Sequence, residues 1–233
     1  MREFNVTGLC VPSMHYMADT SEKIRQIMAM VEKGQYFTVN RGRQYGKTTT
    51  LSLLEKSLPK EYIVIKVSFE GVDDSVFETP ENFCKGILNI CAKYFTERNL
   101  PGSEVWVDES VTTFDLLDAF LTKTCKNKKI VLMIDEVDYA SNNLIFLNFL
   151  EIFRKNVALQ SIILVGVYGI KNIKSFDVDM SLSEKEIASM LAEYEGDHKN
   201  RNGHRIYSQR NQGIYQWLPL PCFQNLPIHR KRF

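Results

Sequence analysis

The sequence predicts an α/β fold of three layers: helices on both faces of a mainly parallel sheet, with a partial helical lid towards the C-terminus. Three observations carry this prediction. Short runs rich in valine and isoleucine alternate with segments of helical periodicity. A turn ending in Gly46-Lys47-Thr48 lies where the first such run passes into a helix. A later apolar run, Lys128 to Ile134, ends in two carboxylates, Asp135 and Glu136.

Asp19-Thr20-Ser21-Glu22 reads as a capping box before a helix with the apolar stripe Ile24, Ile27, Met28 and Val31, closed by Gly34. Tyr36 to Asn40 is the first strand, and Leu51 to Ser57 follows as helix. Tyr62 to Phe69 alternates as a second strand. Thr79-Pro80-Glu81 starts a helix bearing Phe83, Ile87, Ile90, Cys91 and Tyr94 on one side. After the break at Pro101-Gly102, a helix runs from about Thr113 to Cys125. The acidic strand is next, then a helix from Leu144 to Arg154 and a buried strand from Ser161 to Tyr168.

Composition bounds the class. The chain has 233 residues, 44% hydrophobic and 24% charged, as in an ordinary globular domain with a sizeable core and a small appendage. The apolar runs are too short to span a membrane, and the N-terminus lacks a signal-peptide pattern. Five cysteines without C-x-x-C spacing suggest free thiols and a cytoplasmic setting, with Cys84 and Cys91 in the core. Net charge is +1, yet residues 198–233 hold seven Lys or Arg and no acid. The remainder therefore carries 22 basic against 28 acidic residues, which gives the domain no electrostatic case for direct nucleic-acid binding. The phenylalanines lie on apolar faces without basic interleaving and read as core.

The two motifs carry chemistry together. In Arg41-Gly42-Arg43-Gln44-Tyr45-Gly46-Lys47-Thr48-Thr49, backbone amides and the helix dipole would cradle phosphates while Lys47 reaches the terminal ones. The usual phosphate-loop pattern is G-x-x-x-x-G-K-[ST]; here its first glycine is displaced by one, to Gly42. Arg41 and Arg43 either add positive potential or stay solvated, and both readings stand. Thr48 and Asp135 are the expected Mg²⁺ ligands, and Glu136 is suited to orient the attacking water. Asp138 reads as a surface acid, with an addition to the acidic edge as the alternative. Tyr168 reads equally as a γ-phosphate sensor or a buried aromatic. In the glutamate-using branch of P-loop ATPases, the strand from Ser161 lies between the two motif strands.

Segments Phe4 to Cys10, His15 to Met17, Arg41 to Thr50, Ile134 to Asp138 and Ser161 to Ile173 resemble the AAA-ATPase-like family of bacterial proteins. The resemblance covers about residues 1–197. It implies a P-loop NTPase fold, ATP and Mg²⁺ as cofactors, and frequent fusion to a PD-(D/E)XK nuclease-like effector. It also explains Arg41, since members carry arginine there, and it implies adenine contact near Tyr16. Residues 1–174 would form the ATPase domain and 175–197 the start of the lid, with a helix capped by Ser183 and Glu186 through about Tyr194. A loop after Lys174 is missing relative to the family. Beyond His198 periodicity collapses, and residues 198–233 form an irregular basic tail. One displaced base near Lys199 can restore a lid-like reading of that tail, so a frameshift is expected there; a real disordered tail is the alternative. The expected function is Mg²⁺-dependent ATP hydrolysis coupled to an absent partner. Its rivals are a nucleotide-binding switch without turnover and a nucleic-acid binder acting through the tail.

Overall fold

The computed structural model describes residues 2–5, 9–40, 47–140, 144–155, 158–166, 176–179 and 183–202. The expectations for residues 41–46, for Tyr168 and for the tail from 203 onwards lie outside the described residues. Helix α1 (Ser21–Glu32) leads into strand β1 (Tyr36–Asn40), then helix α2 (Lys47–Ser57) and strand β2 (Tyr62–Ser68). Helices α3 (Pro80–Glu97) and α4 (Phe114–Cys125) precede strand β3 (Lys129–Asp135). Helix α5 (Leu144–Lys155), strand β4 (Ser161–Gly166), strand β5 (Phe176–Asp179) and helix α6 (Glu184–Asn202) complete the described chain.

The strands form a five-stranded sheet in the order β2-β3-β4-β1-β5, and every described pairing is parallel. As the sequence reading requires, β4 separates the two motif strands. Side chains of alternate residues pack on opposite faces, which gives two apolar layers. Val131, Met133, Ile163, Val165, Phe37 and Val39 pack with α1 and α2 through Ile27, Val31, Leu51 and Leu54. Ile130, Leu132, Ile134, Ile162 and Leu164 pack on the other face with α3, α4 and α5. Phe83 anchors that layer among Phe77, Phe114, Phe146 and Phe149. Cys84 and Cys91 are fully buried there, as their heptad spacing suggests.

Helix ends follow cap chemistry where it is local. The Thr79 hydroxyl accepts from the Asn82 amide at 3.1 Å with Pro80 as the first helical residue, and Thr113 does the same for Leu116. Ser183 and Glu186 form a reciprocal capping box: the Ser183 amide donates to Glu186 Oε2 at 2.7 Å and the Glu186 amide to Ser183 Oγ at 3.3 Å.

Three expectations are corrected. The Asp19–Glu22 box is displaced: the helix is entered through Thr20, at φ −102° and ψ 15° with no side-chain cap, and Asp19 accepts the Ser21 amide. Residues 176–179 are not the beginning of the lid but a fifth strand, with Phe176 paired to Phe37 and Asp179 to Asn40. Helix α6 does not end near Tyr194 but continues to Asn202.

The N-terminal segment straps α6 to the domain. Arg2 pairs with Glu193 and Asp197, and Tyr16 donates its hydroxyl to Asp197 Oδ2 at 3.1 Å. Phe4, Tyr16 and Tyr194 form one aromatic cluster, and Lys23 of α1 meets Glu186 at 2.7 Å.

Candidate functional site

Parallel strands bring their carboxyl ends to one edge, and that edge carries the candidate site. Ile134 and Thr38 both pair with Leu164, so Asp135 and the end of β1 stand level at this edge. Two strand spacings, about 10 Å, separate them. The segment 41–46 joins the end of β1 to Lys47, the first residue of α2. The phosphate-loop strand and the acidic strand therefore end on the same side of the sheet.

Asp135 is only 6% exposed and continues the face formed by Val131 and Met133, on the side of α1 and α2. Its Oδ1 accepts the Glu136 amide at 3.0 Å, and its carbonyl accepts the Phe69 amide. Ser68 is its register partner on β2. Glu136 is half-buried and adopts a left-handed backbone, φ 53° and ψ 41°. Non-glycine residues rarely occupy that region, and such strain concentrates at functional sites. The turn redirects the chain into a 3-10 helix, Val137–Tyr139.

Thr48 is exposed in the first turn of α2. Thr49 is buried, and its hydroxyl accepts the Cys10 amide at 3.1 Å, which ties the N-terminal segment to this helix. The Tyr16 ring is itself buried beneath Arg2, Phe4 and Tyr194, so its faces serve the junction with α6. Burial, followed by the bond to Asp197, pushes its phenol pKa up.

Of the two sequence readings of Asp138, a surface acid and an addition to the acidic edge, the structure favours the second. Asp138 is half-buried against the end of β4, where a Cβ at Gly166 would lie 3.0 Å from both of its carboxylate oxygens. No local pattern signals this contact, because it joins the 3-10 helix after β3 to the far end of β4.

A family model described as an AAA domain matches residues 42–173, more than half the chain. The chain belongs to this AAA domain family. No curated protein matches it in sequence. Among solved structures, the AAA domain is similar to a Walker-type ATPase of Pyrococcus abyssi, with 12% identity and a TM-score of 0.51. That match covers 84% of this chain and 62% of the other. It is also similar to a chain of the Drosophila ORC bound to DNA, with 11% identity and a TM-score of 0.50, covering 74% of this chain and 31% of that one. The chain thus spans less than two thirds of the length of either. At these identities the likeness is one of fold, and the fold is that of P-loop NTPases. With the family match, it makes this chain a domain of AAA type. Among the described residues, no helix is long and apolar enough to cross a membrane.

Proposed function

We propose that this chain binds Mg²⁺-ATP at the carboxyl edge of its sheet and hydrolyses it, and that the nucleotide state governs a partner. The observation that carries the reading is the common edge shared by the end of β1 and Asp135, with β4 between them. Gly42, Gly46 and the amides of 41–49 would receive the phosphates, and Lys47 would neutralise the terminal ones. A buried carboxylate at a strand end and a threonine hydroxyl at a helix start form an all-oxygen donor set suited to a hard divalent cation. Asp135 and Thr48 would therefore hold Mg²⁺, which when bound compensates charge on the β- and γ-phosphate oxygens. Glu136, turned out of line by its left-handed backbone, would orient water at the γ-phosphate.

Residues 1–174 together with strand β5 are taken as the ATPase body, with helix α6 from Glu184 as the start of a lid. The strap of Arg2, Tyr16, Tyr194 and Asp197 supports a coupling between that lid and the nucleotide edge. The resemblance in sequence suggests a nuclease-like effector as the partner, in a cytoplasmic, bacterial setting.

Glu136→Gln tests the catalytic half of the reading. Steady-state turnover should fall at least about tenfold while Mg-ATP affinity is kept. Equal, measurable turnover in both proteins would remove Glu136 from catalysis. Binding without turnover in the wild type would leave a nucleotide switch.

A further inference from the structure

Resting on that ATPase reading, we propose that Asp138 is a positioning residue that holds the Glu136 turn against the end of β4. The short 3-10 helix is fixed on both sides of it: Val137 and Ala140 are each 1% exposed in the apolar layer beneath α5. The Tyr139 amide donates to the Glu136 carbonyl at 3.2 Å, and the Ala140 amide to the Val137 carbonyl at 3.0 Å. With its neighbours pinned, the half-buried Asp138 holds both carboxylate oxygens beside Gly166. A side chain at 166 would meet its two oxygens at 3.0 Å and a Val137 methyl at 3.1 Å. Glycine is what lets the carboxylate settle there.

Gly166 pairs with Asn40, the residue that opens the phosphate-loop segment. Asp138 therefore marks the place where the acidic turn, the end of β4 and the root of the phosphate loop converge. Its carboxylate keys the first to the second. Glu136 stands two residues away on the same strained turn, so a loosened turn moves its carboxylate relative to the nucleotide edge. Displacement of a reacting group by about 1 Å can cost on the order of a hundredfold in rate. Asp138 acts in this way through Glu136, without touching the nucleotide.

The test is a double-mutant cycle on the full chain, with kcat and KM for Mg-ATP measured in single and multiple turnover beside the thermal midpoint. Asp138→Ala should lower kcat about tenfold and leave KM within about twofold, and Asp138→Asn, which keeps the size, should recover most of the loss. In the Glu136→Gln background, Asp138→Ala should cost nothing further, because the effect runs through Glu136. Gly166→Ala should lower kcat in the wild type and add no loss to Asp138→Ala. An unchanged kcat in Asp138→Ala overturns the proposal. So does an equal loss in both backgrounds, or a loss that Asp138→Asn fails to recover. A wild type that turns over Mg-ATP while Asp138→Ala leaves kcat unchanged overturns this proposal alone; a folded wild type that shows no turnover overturns the hydrolytic reading and this proposal with it.

Discussion

The Cys10 amide donates to the Thr49 hydroxyl at 3.1 Å, joining the N-terminal segment to the first turn of the helix that carries Lys47 and Thr48. The contact reaches across 39 positions of sequence and fixes the start of α2 from outside. It gives the N-terminal segment a structural hold on the nucleotide edge.

Thr49→Val keeps the shape and removes the acceptor. It should destabilise the chain by about 1 kcal/mol, the usual net value of such a bond. Amide exchange should quicken at Cys10 and in the first turn of α2. Urea unfolding with hydrogen exchange measures both; unchanged exchange at Cys10 would show that the bond does not hold the segment.

The strap to α6 should fail locally rather than globally. Solvent-screened ion pairs add little net stability, so Arg2→Ala should barely move the unfolding midpoint yet increase exchange and proteolysis in α6. Acid should act in the same place. Burial alone would raise the Glu186 carboxyl, but bonds from Lys23 and Ser183 together hold it below its ordinary 4.5. The stabilisation is therefore intact above 4.5 and is lost as pH falls through the lower folded value. Exchange in α6 followed down from pH 7 checks this, and a loss already complete above pH 5 would contradict it.

Alkali should unsettle the core through its thiols. Burial pushes Cys84 and Cys125 up to about 11 and Cys91 to about 12, from an ordinary 9.0. Between 9 and 11 the folded state holds protons that the unfolded chain releases, so stability falls as pH rises. Denaturation midpoints from pH 8 to 11 should fall accordingly, and a serine or alanine at Cys91 should flatten part of the slope. In the native protein these three thiols should resist a thiol reagent to which the partly exposed Cys10 responds. Rapid labelling of Cys91 at pH 8 would contradict this.

What could be read in the sequence was whatever local chemistry dictates. Thr79-Pro80 and the Ser183–Glu186 pair announce helix starts because their bonds close within four residues. Val131 and Met133 belong to a run apolar at every position, which a strand buried on both faces requires. The Asp19–Glu22 pattern misleads because Asp19 takes the nearer Ser21 amide, and the helix is entered one residue later, at Thr20. Phe176 to Asp179 alternates as a strand should, but two acids in four residues resemble a loop until β1 offers an open edge. Asp138 could be read only as the lesser alternative, for a deeper reason. Its placement depends on a left-handed Glu136 and on a glycine at the end of another strand, and neither leaves a mark within the Asp135 to Asp138 motif.

The central claim is that one nucleotide site joins Lys47 and Asp135 across the carboxyl edge of the sheet. Calorimetric titration of the folded chain with ATP in excess Mg²⁺ tests it most directly. The account predicts saturable binding at one site, weakened at least about tenfold, or about 1.4 kcal/mol, by Lys47→Ala and by Asp135→Asn. No binding heat from a folded wild type across temperatures, or affinity untouched by Lys47→Ala, would contradict it.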